Sequence, residues 1–200
     1  MTPEPQRSAT IEYYDTTAAA YFQQTLGIDM ASTRERLTKE LSQGAHILDA
    51  GCGSGRDSKA FKDAGFKVTA FDASAPLAAL ASGHIGQPVL VRRFQELDLG
   101  QTFDGIYASA SLLHLDNEEL AQAFLTLFAH LRPHGRMLTL FKLGAGLRTD
   151  TATGRVFNDM TADRLQGFVE RACGRMLATY IDKDRMGRGN DWIAGISAHA

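Results

Sequence analysis

The residues with the clearest chemical potential run from position 47 to 57: Ile47-Leu48-Asp49-Ala50-Gly51-Cys52-Gly53-Ser54-Gly55-Arg56-Asp57. An apolar run ends in an acid, three glycines alternate with small residues, and a polar amphipathic stretch follows. Glycine permits positive φ and lets backbone approach a ligand with no Cβ in the way. A second acid, Asp72, closes the next apolar run 21 residues after Gly51. That is near the ~20-residue spacing at which a strand-end carboxylate accepts hydrogen bonds from two ribose hydroxyls.

The details of the loop select among nucleoside ligands. A dinucleotide needs G-x-G-x-x-G, with its pyrophosphate on the N-terminus of the following helix. Here the spacing is G-x-G-x-G, and Asp49 immediately before it would repel a pyrophosphate. The phosphate-cradling pattern G-x-x-x-x-G-K-[ST] does not occur. An acid at position 49 suits a ligand with an ammonium group. S-adenosylmethionine meets these demands, with its ribose on Asp72, its amino group on Asp49 and its uncharged adenosyl body against Gly51 and Gly53. A nucleotide-dependent oxidoreductase would share the architecture but not this glycine spacing. A non-catalytic S-adenosylmethionine-binding regulatory module would keep both acids and lack turnover.

The elements that must position these groups follow from pattern. Ile11–Leu26 reads as a helix carrying Tyr13, Tyr14, Tyr21 and Phe22, and a second helix starts at Ser32, with Glu35 completing a capping box. Apolar runs at Ala45–Ala50, Phe66–Phe71, Val89–Val91, Phe103–Ala108 and Met137–Phe141 read as strands. Amphipathic stretches at Asp57–Ala64, Ala75–Ala81, Asp116–His130 and Thr161–Ala172 read as helices, the third capped by Asp116 and Glu119. This alternation predicts a doubly wound α/β domain with a mostly parallel sheet. Two late strands, near Leu177–Ile181 and Trp192–Ala198, have no helix between them and are expected to form an antiparallel edge hairpin. Ligands of such sheets bind outside the carboxyl ends of the strands.

Composition narrows the function classes. The chain has 200 residues, 44% of them hydrophobic and 22% charged, with 19 Gly and 5 Pro, which excludes a collagen-like or wholly disordered chain. Its length suits one domain over 1–200: a helical cover over 1–43, a cofactor-binding core over 44–142, and substrate-side loops with the final strands over 143–200. A net charge of −2 gives no basic excess for nucleic acid or an anionic membrane. The start lacks the apolar stretch of a secretory signal, and no apolar run is long enough to span a bilayer, so a cytoplasmic location is expected. Cys52 and Cys173 form no Cys-x-x-Cys pair, which argues against a disulfide framework or a structural zinc site.

In order along the chain, Leu-Asp-Ala-Gly-Cys-Gly-Ser-Gly, Val-Thr-Ala-Phe-Asp, Phe-Asp-Gly-Ile-Tyr-Ala and Leu-Arg-Pro-His-Gly-Arg-Met resemble the motifs of class I S-adenosylmethionine-dependent methyltransferases, over about residues 44 to 142. The resemblance implies a seven-stranded Rossmann-like sheet whose last strand is inserted antiparallel, with S-adenosylhomocysteine as product. It implies loop contacts from Gly51, Cys52, Gly53 and Arg56, the amino-end partner in Asp49, the ribose partner in Asp72 and the neighbour of the adenine in Ala73. Phe94 is expected to flank the ring and Gln95 to supply its polar contact, in place of the acid the family often carries there. Ser109 and Leu112 are expected to border the sulfonium. The Gly-Arg-Asp-Ser of residues 55–58 also resembles a motif of bacterial tellurite-resistance methyltransferases.

Further candidates lie around this core. His114 follows the fourth strand, where a general base could stand, and its ordinary pKa near 6.5 suits that work. Tyr13 and Tyr14 sit on the cover helix, which in related enzymes folds over the cofactor, so that a tyrosine there, Tyr14 in this chain, can reach the methionine carboxylate. Arg148, Arg155, Arg185 and Arg188 fall in the two late loops; convergence of these side chains would favour an anionic small-molecule acceptor. His130 and His134 stand four apart with no evident third ligand, so no metal site is expected. Cys52 has no paired base and is read as a small loop residue rather than a nucleophile.

Overall fold

A computed structural model of the chain describes residues 9–184 and 189–200. The sheet is built from β1 (His46–Ala50), β2 (Lys67–Asp72), β3 (Leu90–Val91), β4 (Phe103–Ser109), β5 (Leu131–Lys142), β8 (Gly174–Asp182) and β9 (Trp192–His199), in the order β3-β2-β1-β4-β5-β9-β8. The pairs from β3 through β5 are parallel, while β9 runs antiparallel to both β5 and β8. The expected hairpin is therefore formed, with its second strand inserted between β5 and its own partner.

Successive strand residues feed opposite faces, as a two-residue period requires. Leu48, Ile106 and Met137 pack into one core, while Ile47, Tyr107 and Leu138 pack into the other. The first core takes the apolar stripes of α5 (Asn117–Ala129) and α6 (Ala162–Arg171), through Leu120, Phe124, Leu165 and Phe168. The second takes Leu37 of α2 (Ala31–Thr38) and Phe61 of α3 (Arg56–Asp63). With α1 (Ala9–Leu26) and α4 (Ala75–Ile85) added, helices cover both faces. The central strands are buried on each side, which explains their nearly unbroken apolar runs.

Three departures from expectation bear on the architecture. The capping box at Ser32 does not form: α2 starts at Ala31 with Met30 as its N-cap, and the Ala31 N–H is satisfied by Asp29 Oδ1 at 2.8 Å. Asp29 supplies the acceptor earlier, so Ser32 falls inside the first turn. The box at Asp116 and Glu119 does form. β5 begins six residues before the expected Met137, because Leu131 pairs with Phe103 and the ladder resumes at Arg136 and Gly105. Pro133, with no N–H to donate, lies in that irregular stretch, where a ladder tolerates it. Finally, β6 (Gly146–Thr149) and β7 (Val156–Asp159) form a separate two-stranded antiparallel sheet that the pattern did not announce. It is tethered to the end of β5 by Met160 N–H donating to the Lys142 carbonyl at 2.9 Å. No helix among the described residues is long and apolar enough to cross a membrane.

Candidate functional site

At the carboxyl ends of the strands lies a cavity of about 370 Å³, closed over by α1 and walled by the strand-end loops and the β6–β7 hairpin. His114 and every residue expected to contact the cofactor line it, save Leu112. Leu112 is wholly buried in the core beneath, and the neighbouring Ser111 and Leu113 reach the cavity instead. The 3-10 turn Leu112–His114 rotates successive residues by about 120°, which turns position 112 inward.

The glycine loop folds back onto β2. The N–H groups of Gly51 and Cys52 both donate to the Phe71 carbonyl, at 3.0 and 2.9 Å. Gly51 has φ +78°, and a Cβ there would lie 2.4 Å from Cβ of Ser111. Ser111 in turn donates its hydroxyl to the Ala50 carbonyl at 2.6 Å. Gly53 donates its N–H to Asp72 Oδ2 at 2.8 Å, and Ser74 donates its own to Oδ1 at 2.9 Å. Backbone donors thus orient both oxygens of Asp72, and the Ala73 N–H adds a third favourable interaction. Burial raises the pKa of this carboxyl, against the pull of those donors.

Asp49 is more deeply placed, 2% exposed, and accepts the Ser58 hydroxyl at 2.6 Å. Burial, then the negative charge of Asp57, pushes its pKa up to about 7. A ligand cation beside it would return it to the charged form. Asp57 itself is clasped by Arg34 at 2.7 Å and Arg56 at 2.6 Å. Arg56 also donates to the Thr25 carbonyl at 3.0 Å, so this loop residue ties α3 to the end of α1. Burial raises the Cys52 thiol well above its usual range, which keeps it protonated and a poor nucleophile.

Beyond Asp72 and Ala73, Phe94 packs edge-on against Phe71 with ring centroids 5.2 Å apart. Gln95 donates its amide to Glu119 Oε1 at 2.8 Å, and Glu119 Oε2 accepts the Asp116 N–H. The capping box of α5 therefore also positions Gln95. Ser109 ends β4, and Ala110 after it takes φ +55°, an uncommon left-handed conformation for a non-glycine residue at the cavity wall.

The opposite end is aromatic and basic. His114 Nδ1 lies 2.7 Å from the Val156 carbonyl, so Nδ1 carries the hydrogen and Nε2 accepts the Tyr14 hydroxyl at 2.8 Å. Burial, helped by the charges of Arg155 and Lys142, pushes the histidine down to about 4. Burial also raises the Tyr14 phenol, which stays protonated. Both ring nitrogens are engaged, so His114 can accept a proton only if Tyr14 withdraws. Arg155 lies over the Tyr13 ring at 4.3 Å, and Lys142 over Phe157 at 3.8 Å. Arg148 instead pairs with Asp159 at 2.6 Å and does not line the cavity, while Arg185 and Arg188 lie outside the described residues. Lys142 was missed, although it ends an apolar strand just as Asp49 and Asp72 close theirs. His130 is a structural residue, accepting the Leu99 N–H at Nε2 and donating from Nδ1 to Thr126.

A family described as a methyltransferase domain matches residues 22–172. An uncharacterised methyltransferase of Staphylococcus carnosus is 30% identical over 112 residues, which cover 56% of this chain and 50% of that protein. The match thus spans half the length of this relative. Among solved structures, the 1,6-didemethyltoxoflavin-N1-methyltransferase of Burkholderia thailandensis, with bound 1,6-didemethyltoxoflavin and S-adenosylhomocysteine, superposes with a TM-score of 0.78 at 22% identity, over 100% of this chain and 93% of that one. A TehB-like S-adenosylmethionine-dependent methyltransferase of Corynebacterium glutamicum does so at 0.69 and 18%, covering 94% and 95%.

Proposed function

The chain belongs to the methyltransferase-domain family, the class I S-adenosylmethionine-dependent group its motifs resemble, and on that premise we propose that it moves a methyl group from S-adenosylmethionine to a small-molecule acceptor. The observation that carries this reading is the pair of strand-end acids in one cavity, Asp49 and Asp72. Asp72 has both oxygens oriented by backbone donors for a ribose diol. Asp49 is buried with a neutral hydroxyl as its donor, so an ammonium supplies the charge that favours its ionised form.

Around these acids, Gly51, Cys52 and Gly53 present backbone to the ligand, Ala73 and Phe94 flank the adenine, and Gln95 meets its polar edge. Tyr14 and Arg56 close the amino-acid end from the cover helix and loop, and Ser109 borders the reacting centre. The donor's sulfonium supplies an already activated methyl group. The protein therefore mainly aligns the acceptor behind it, a contribution of about 7–11 kcal/mol to lowering the barrier. The acceptor lone pair forms the new bond to carbon as the carbon–sulfur pair withdraws onto sulfur. This displacement requires no strong base, and His114 serves as one only after Tyr14 releases Nε2.

Calorimetric titration with S-adenosylhomocysteine tests the reading. Saturable heat is expected, and its absence at high ligand concentration overturns the proposal. Asp72→Ala should lower the affinity by more than tenfold; a smaller loss removes the ribose assignment. Incubation with radiolabelled methyl donor and a panel of small acceptors separates an enzyme from a binding module that lacks turnover.

A further inference from the structure

Charged side chains of both signs line the cavity: Asp49 and Asp72 stand at the ends of β1 and β2, Asp182 ends β8 and Asp184 follows it, and the cations Lys142 and Arg155 flank Phe157 of β7. Lys142, the last residue of β5, places Nζ 3.8 Å from the Phe157 ring centroid, and the Arg155 guanidinium lies 5.1 Å from it. Arg155 is oriented from several sides. It lies 4.3 Å from the Tyr13 ring, donates from Nε to Thr153 Oγ1 at 3.1 Å and from Nη1 to the Tyr14 hydroxyl at 3.4 Å, and has Asp150 at 3.8 Å. A guanidinium held in this way loses little further freedom when it meets an anion.

The polar groups between the two ends add no charge there: His114 is the neutral Nδ1–H tautomer and Tyr14 an intact phenol. Asp182, which also reaches the cavity, is matched by a two-pronged bond from Arg36 at 2.5 and 2.7 Å. Three cations lie against the Phe157 ring; Arg148, at 4.7 Å, is paired with Asp159 and does not line the cavity, while Lys142 and Arg155, which do, make a seat for a compact anion, because the low-polarity wall weakens screening.

We propose that the methyl acceptor carries a small oxyanion, either an organic carboxylate or an inorganic oxyanion of similar size, and that Lys142 and Arg155 seat this group beside Phe157. This rests on the methyl-transfer reading and adds the chemical class of the acceptor. It also assigns specificity to Lys142, which no motif marks.

The experiment is calorimetric titration of protein saturated with S-adenosylhomocysteine against benzoate, propionate and selenite, with benzamide as the neutral match to benzoate. At least one anion should bind, and benzamide should bind at least tenfold more weakly than benzoate or not at all. The carboxylate and selenite arms distinguish an organic from an inorganic acceptor. Lys142→Met and Arg155→Met should each weaken the bound anion by tenfold or more, Lys142→Met should leave the affinity for S-adenosylhomocysteine unchanged, and Lys142→Arg should restore most of the loss. With a turned-over anion, the Lys142→Met defect should fall on KM more than on kcat. Because Arg155 packs on Tyr13, Lys142→Met and its Arg rescue decide the matter should Arg155→Met unfold. Binding of no anion, equal binding of benzoate and benzamide, or an anion affinity unmoved by Lys142→Met overturns the proposal. The two failures are separable: no heat with S-adenosylhomocysteine overturns the donor reading, whereas normal heat without anion preference overturns only the acceptor class.

Discussion

Tyr14 of the cover helix donates its hydroxyl hydrogen to Nε2 of His114, 2.8 Å away and 100 residues along the chain. Since the other ring nitrogen bonds to Val156, one imidazole joins α1, the turn after β4 and the β6–β7 hairpin. The cover over the cavity is thus held by a hydrogen-bonded ring as well as by packing.

Tyr14→Phe should remove that donor and leave a buried acceptor unsatisfied, at about 1–3 kcal/mol. For a chain this size the midpoint of thermal unfolding should fall by roughly 2–4 °C per kcal/mol. The tyrosine bond favours neutral His114, so its loss should raise the pKa from about 4, while burial keeps it below 6.5. NMR titration of the imidazole measures this shift. A value unchanged from the parent would show that the bond does not form in solution.

Asp49 gives a pH signature with a definite sign. Its pKa is raised from 3.8 to about 7 on folding, so between those values the folded protein holds the extra proton and this group favours the fold progressively less as pH rises. Asp49→Asn removes that dependence. The variant's melting temperature relative to the parent should climb between about pH 4 and pH 7 and level off above. In unfolding free energy the corresponding slope should approach about 1.4 kcal/mol per pH unit. The same linkage predicts that S-adenosylhomocysteine binding at pH 6 releases a proton, seen as a calorimetric heat that varies with buffer ionisation enthalpy, and Asp49→Asn should abolish that variation.

Gly51→Ala should be strongly destabilising for two separable reasons. The left-handed backbone costs about 1–2 kcal/mol for any residue with a Cβ, and the added Cβ meets Ser111 at 2.4 Å. The double variant Gly51→Ala with Ser111→Gly removes only the second. It should recover part of the stability lost in Gly51→Ala, as read from urea midpoints. No recovery would mean that the two loops do not touch.

The parts of the site visible in the sequence are those governed by backbone rules. Strand ends, glycine conformations and the Asp116 cap obey local patterns, so Asp49, Gly51, Gly53 and Asp72 could be placed from spacing. The basic end of the cavity could not be placed in this way. Lys142 and Arg155 share the Phe157 ring only because β6 and β7 fold back as a separate hairpin, and Gly146-Leu147-Arg148-Thr149 carries too little apolar alternation to announce a strand. Leu112 was misplaced because one residue of rotation in a 3-10 turn exchanges cavity for core. His114 was placed correctly at the wall, but its partners come from 100 residues upstream and 42 downstream, which no local pattern encodes.

The insertion of β9 between β5 and β8 imposes an order of assembly. β8 is synthesised before β9, yet it gains a place in the sheet only through it. Until the later strand docks, the outer margin of β5 and both margins of β8 have unsatisfied main-chain groups, inviting mispairing with other molecules. β8 therefore joins either as half of a preformed hairpin or after β9 has docked on β5, and once in place it forms one edge of the sheet, opposite β3.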